Sequence, residues 1–149
     1  MGKTKVGKGM KLEVVVDRSG LPLGLVVAAA DVSEQELLMP ALDDVPVEVP
    51  PGTPVVADKG HDSDPLRDEL EDASYTPVIP HRKNRVKPSR NDGRRLRRYR
   101  HRWLVERTNA WHNAFNRFQR CYERARRWST WFFDLADAII TVRSLIRQA

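Results

Sequence analysis

The sequence holds one cysteine, Cys121, in 149 residues. A single thiol closes no internal disulfide and cannot build a thiolate zinc site, so the chain reads as one made for a reducing compartment. Long apolar runs are also missing. The longest, residues 21–30, is far below membrane-spanning length and is interrupted by Pro22 and Gly24. Lys3, Lys5, Lys8 and Lys11 are followed by Leu12-Glu13-Val14-Val15-Val16-Asp17, a charged stretch too short for the apolar core of a signal peptide. These absences predict a soluble cytoplasmic protein. There is no internal repeat and no RNA-recognition aromatic motif, which weakens an RNA-binding reading.

Charge is plentiful and uneven. The net charge is +6, but residues 1–80 alone carry a net −8. Residues 81–107 hold 12 Lys and Arg against 2 acids, and residues 108–149 add a further +4. A block of like charge repels itself and is compensated by a polyanion, for which nucleic acid is the leading candidate. A solvated charge run in a loop is the plainer alternative. The arginines continue into a segment rich in aromatics, which favours nucleic acid.

Pattern and punctuation predict a mixed α/β chain. Residues 11–17 and 21–29 read as two strands joined at Arg18-Ser19-Gly20, a β-hairpin. Ser33 with Glu36 resembles a capping box opening a short helix that ends near Leu42. Four prolines and Gly52 make residues 45–54 a connection. Val55-Val56-Ala57-Asp58 reads as a buried strand with a carboxylate at its end, broken by Lys59-Gly60. Ser63 or Asp64 could cap a helix with Pro65 at its first position, running to about Asp72. Residues 75–79 suggest another strand. Residues 81–98 form a basic loop with Pro88 and Gly93, expected to be poorly ordered. A long helix is expected over residues 97–120, with Leu104, Trp111, Phe115 and Phe118 on one face. A last helix over 130–147 would bury Phe133, Ala136, Ile140 and Leu145.

Two carboxylates stand out. Asp58 sits at a strand end, where it either caps the following turn or binds metal. Glu106 follows Tyr99 and Arg102 at a spacing that puts all three on one helical face. It is either half of a surface ion pair with Arg102 or Arg107 or a metal ligand in a cationic groove. Phosphodiester cleavage and strand transfer need an activated nucleophilic oxygen and a stabilised leaving oxygen, and two divalent ions held by converging carboxylates supply both.

These segments resemble a known family. Ala57-Asp58-Lys59-Gly60-His61-Asp62-Ser63 is similar to the segment around the second acid of DDE transposases of bacterial insertion sequences. Residues 99–107, Tyr-Arg-His-Arg-Trp-Leu-Val-Glu-Arg, match the Y-(2)-R-(3)-E signature around their third acid. Residues 75–80, the hairpin turn and the segment near Leu135-Ala136 also look familial, so the resemblance covers nearly the whole chain.

The resemblance implies a ribonuclease-H-like mixed sheet with flanking helices, here apparently lacking the N-terminal central strand that carries the first acid. It implies one partial catalytic domain over residues 1–149. It makes Asp58 and Glu106 catalytic metal ligands for Mg²⁺ or Mn²⁺, in a two-metal arrangement completed only with the first acid. Tyr99, Arg102, Arg107, Arg94, Arg95 and Arg98 would contact double-stranded DNA, both terminal inverted repeats and target. The complete protein would be a homo-oligomer associated with the nucleoid.

The Gly/Lys-rich lead-in that follows the first acid in the family is residues 2–11 here. Asp17 is the nearest candidate for that acid, but it is read as turn chemistry. Either the chain is the second product of a two-frame element, with the product of an upstream frame as its partner, or it is a decayed remnant. In both cases the isolated chain is expected to be inactive. A non-catalytic DNA-binding fragment that represses transposition is the alternative. His61 stands where the family often has Tyr and is read as a tolerated neighbour. Trp111 is expected in the core, and Trp103 is left open between core and base stacking.

Overall fold

The computed structural model describes residues 2–3, 8–90, 93–115 and 126–148. Among the described residues, two small sheets are flanked by four α-helices. Strands β1 (Gly2–Lys3), β2 (Lys8–Val16) and β3 (Pro22–Ala29) form an antiparallel sheet in that order. Strands β4 (Pro54–Val56) and β5 (Thr76–Val78) form a parallel pair. The mixed α/β expectation therefore holds, with the sheet in two pieces.

The hairpin turn is built as its sequence predicts. The Asp17 carboxylate accepts from the backbone N–H of Ser19 and of Leu21, both at 2.8 Å, and Gly20 takes φ +79°. Alternation along β2 then divides its two faces. Val14 packs with Leu25 and Val27, joined by Leu12, Val16 and Phe133. Phe133 belongs to the C-terminal helix α4 (Arg126–Gln148). Val15 points the other way, into a cluster of Leu38, Leu42, Ala57, Leu66, Leu70 and Ile79. Leu38 and Leu42 come from α1 (Leu38–Asp43), and Leu66 and Leu70 from α2 (Asp64–Asp72). Helices thus cover both faces of the hairpin, and one apolar cluster bridges the two sheets. At Gly24 a Cβ would collide with the Ala41 carbonyl oxygen, so glycine is what lets α1 lie close on β3.

Several sequence expectations change in detail. Ser33 caps a 3₁₀ turn (Glu34–Glu36) through the Gln35 N–H, and the α-helix begins only at Leu38. Strand β4 stops two residues before Asp58. The expected helix from residue 97 is instead a 3₁₀ helix (Arg95–Arg102) followed by α3 (Trp103–Ala114). Like charges at i,i+3 and i,i+4 among Arg94, Arg95, Arg97, Arg98 and Arg102 work against a regular α-helix there. Trp111 and Phe115 are half-buried, and Phe118 lies outside the described residues. In α4, Ala136 and Ile140 are buried and Phe133 half-buried, but Leu145 is exposed. Five residues beyond Ile140, it has turned about 140° away from that face.

Candidate metal and nucleic-acid site

Asp58 leaves the end of β4 and caps a 3₁₀ turn (Lys59–His61), its Oδ1 accepting from the Gly60 N–H at 2.6 Å. The capping reading is thus correct as hydrogen bonding, and it does not exhaust the group. The same Oδ1 meets His61 Nδ1 at 3.0 Å. His61 is buried, and its Nε2 meets Glu13 Oε1 of β2 at 3.1 Å. With both ring nitrogens on carboxylate oxygens, the imidazole is held as a double donor. Burial pushes its pKa down, but the bonds and charges of Glu13 and Asp58 outweigh that and raise it. Burial likewise pushes the Asp58 carboxyl up, and His61 and the Gly60 N–H outweigh it to leave the pKa lowered. His61 is more than a tolerated neighbour: it ties the end of β4 to β2.

Glu34 completes the group. One ligand atom each from Glu34, Asp58 and His61 lies within 4.8 Å of the other two. Two carboxylates and an imidazole are a donor set that fits a divalent cation, Mn²⁺ better than Mg²⁺ once the nitrogen takes part. A cation at His61 must displace a proton first. Glu34 lies in the 3₁₀ turn before α1 and carried no family signal.

Glu106 does not belong to that group. It sits in the first turn of α3, half-exposed, with Arg102 Nη1 at 2.5 Å from Oε1. The Arg102 guanidinium also lies over the Tyr99 ring, 5.6 Å from its centroid. The three signature residues therefore form one stack: ring, guanidinium, carboxylate. Arg107 is packed differently. Its guanidinium lies between Trp103 and Trp111, at 5.0 Å and 4.7 Å from the ring centroids, and donates to the Ser19 carbonyl. Beside it, Thr108 Oγ1 donates to the Gly20 carbonyl at 2.7 Å. These contacts dock α3 on the hairpin turn. Trp103 remains about half exposed.

The basic segment splits in two. Arg82, Arg85, Lys87 and Arg90 fold back onto the acidic side of the chain. Arg85 Nη1 reaches Asp62 Oδ1 at 2.7 Å and also pairs with Asp64; Lys87 reaches Asp64 at 3.2 Å; Arg90 reaches Asp68 at 2.5 Å and Glu71 at 3.2 Å. Arg85 and Lys87 hold the Asp64 carboxyl at about 2. The Asp62 side chain is fully buried and also accepts from Arg67, which in turn donates to the Ile79 carbonyl at 2.6 Å. Sequence reading missed this network, although Asp62 lay inside the familial segment. Arg94, Arg95, Arg97, Arg98 and Arg100 form the other part: their side chains are exposed along the 3₁₀ helix and its start, and that helix packs against β4 and β5.

A family model for the transposase DDE domain matches residues 2–136. The chain belongs to that family. It is also 33% identical, over 146 residues, to a Burkholderia cepacia protein named as a transposase for insertion sequence element IS402. The match covers 93% of this chain and 65% of that relative, so the chain spans a little under two thirds of the relative's length. No solved structure matches it. No helix among the described residues is long and apolar enough to cross a membrane.

Proposed function

We propose that this chain supplies the later part of a DDE catalytic domain, which cleaves and joins DNA strands at insertion-sequence ends. The observation that carries the reading is a juxtaposition. The arginine-rich 3₁₀ helix packs against β4, whose chain leads to Asp58, and runs straight into the helix that bears Glu106. Phosphate and metal-binding carboxylates would then share one region. Asp58 and Glu106 are the acids. His61 holds Asp58, and Glu34 lies close enough to share a cation with both. A bound cation would activate the attacking oxygen and steady the leaving one. Tyr99 and Arg102 position Glu106. Arg94, Arg95 and Arg98 contact backbone phosphates, fixing register more than sequence. Arg107 acts at one remove, by holding α3 on the hairpin.

The finer fold reading is ribonuclease-H-like. It is supported by the way the sheet is split. β2 pairs with β3 along its length but with β1 only at Lys8 and Gly9, and β4 pairs only with β5. The remaining edges of β2 and β4 carry no strand among the described residues, and unpaired edges call for a partner. A strand between them would join the two pieces into one mixed sheet and could bring the first acid beside Asp58. Its source would be a region of the longer transposase or the product of another frame.

We therefore expect the 149-residue chain alone to bind duplex DNA without cleaving it. The experiment combines binding and cleavage of DNA carrying the flanking terminal repeats, with Mg²⁺ or Mn²⁺. Binding should fall steeply with salt, because several phosphates are neutralised. Cleavage by this chain alone, lost in Asp58→Ala, would sink the incomplete-domain reading. A flat salt response would count against the arginine face. A repressor role draws on the same face and no acid. If Asp58→Ala and Glu106→Ala leave a complemented, cleaving complex unimpaired, the acids are not catalytic and the binding role is what remains.

A further inference from the structure

The cations of residues 82–90 are held in two different ways. Arg82 and Arg85 are pinned by folding: Arg82 donates to the Lys59 and Gly60 carbonyls, and Arg85 reaches the fully buried Asp62 carboxylate. Lys87 and Arg90 are held at the surface. Lys87 Nζ stands 3.2 Å from Asp64 Oδ2. Arg90 forks across Asp68 at 2.5 Å and Glu71 at 3.2 Å, with Asp64 at 4.0 Å. The Asp68 and Glu71 side chains are 60% and 48% exposed. Ion pairs this open to water hold weakly and exchange with other ions.

Asp64, Asp68 and Glu71 follow one another at intervals of four and three residues, so α2 presents them within about 60° of one face. Glu69 and Asp72 are exposed on the same helix but outside that arc. The row of carboxylates offers Arg90 what a phosphate backbone offers, anionic oxygens matched to a guanidinium fork.

Position supplies the competitor. Arg90 and Glu71 line a narrow cleft together with Arg95 and Leu96 of the 3₁₀ helix. The held cation therefore adjoins the exposed arginine face. Phosphates neutralised at Arg95 come close to Arg90 and to the carboxylates that hold it. Duplex DNA carries about one negative charge per 1.7 Å of axis, a far denser row than the three acids of α2.

We infer that Asp68 and Glu71 act as an internal stand-in for DNA phosphate, and that Arg90 leaves them for the backbone of duplex DNA bound along the arginine face. The two acids thereby lower the affinity of the free chain, and Arg90 extends its phosphate track beyond Arg95. The inference rests on the DNA-binding reading above.

Fluorescence anisotropy of a labelled duplex of arbitrary sequence, titrated with the full chain from about 50 to about 200 mM salt, is the test. Asp68→Asn combined with Glu71→Gln should tighten binding about tenfold at the lowest salt and steepen the salt dependence by about one neutralised phosphate. Glu69→Gln combined with Asp72→Asn removes the same charge from the same helix. It should give about threefold or less, the part due to screened repulsion alone. In an Arg90→Gln background the first pair should gain no more than the second. Equal gains from the two pairs, or a gain that survives Arg90→Gln undiminished, overturns the inference and leaves the DNA-binding reading standing. An unmodified chain with no affinity for the duplex overturns both.

Discussion

Asp58 lies at the rim of a unit that buries Asp62, Arg67 and His61 against one another, whereas Glu106 rides on the half-exposed face of a helix. Around Asp58, β4, α2 and β5 enclose Asp62, Arg67 and His61, each with several partners. Around Glu106 the partners are local: one guanidinium four residues back, and a ring behind it. The first region fixes its acid by folding. The second fixes its acid by docking one helix on a hairpin turn and leaves the side chain adjustable. Substitutions should therefore separate into those that unfold the protein and those that alter only what it binds.

The largest effect is expected at Arg67. It is 3% exposed, between the Asp62 carboxylate and the Ile79 carbonyl. Arg67→Met removes one partner of a buried pair and strands the other, at a cost of about 3–5 kcal/mol. Arg85 still reaches Asp62 and should hold the loss toward the lower end. Urea unfolding measures it, and a loss below about 1 kcal/mol would mean the network is not the anchor described here.

Next is Thr108. Thr108→Val keeps the shape but leaves the Gly20 carbonyl without its hydroxyl donor, costing roughly 1–3 kcal/mol. Because that bond crosses from α3 to the hairpin, the variant should also weaken DNA binding. A stability loss with unchanged binding would detach Glu106's placement from that contact.

Acid should dismantle the first region before the second. Burial raises the Asp62 carboxyl, but Arg82's N–H and Arg67 outweigh it, so its pKa is lowered, as is that of Asp64. Depressed carboxyls contribute stability that is present above the ordinary 3.8 and lost as pH falls through their folded values, about 2 for Asp64. The denaturation midpoint should drop across that interval. Asp64→Asn should remove part of the slope, and an unaltered slope would show that Arg85 and Lys87 do not hold the segment in solution.

Much of the first region was legible in the sequence. Gly20, Pro65 and the valine runs announced hairpin, helix and strands, because turns and caps are chemistry of adjacent residues. Asp58 and Glu106 stand out only through their flanking segments, which the family match covers. What could not be read were pairings across long separations: Glu13 with His61, Arg85 with Asp62, Glu34 beside Asp58. Each depends on how elements pack, and none leaves a periodic or local signature. The arginines between 94 and 102 misled in another way. Their apolar neighbours predicted an α-helix, but like charges one turn apart work against it and a 3₁₀ helix stands there instead.

The smallest effect on stability is expected at Glu106, and it is the most informative about function. Glu106→Gln replaces a 52%-exposed carboxylate paired with a 39%-exposed guanidinium. Exposed pairs of this kind contribute about 0.2–1 kcal/mol, so unfolding should hardly move. DNA binding should move the other way. Removing a negative charge beside the arginine face, and releasing Arg102 from its partner, should tighten binding at low salt. Screening should erase the gain as salt rises, since the Debye length shrinks to about 8 Å at 0.15 M. Weaker binding in Glu106→Gln would mean the carboxylate orients Arg102 for phosphate, and the stack of Tyr99, Arg102 and Glu106 would then be a binding device before it is anything catalytic.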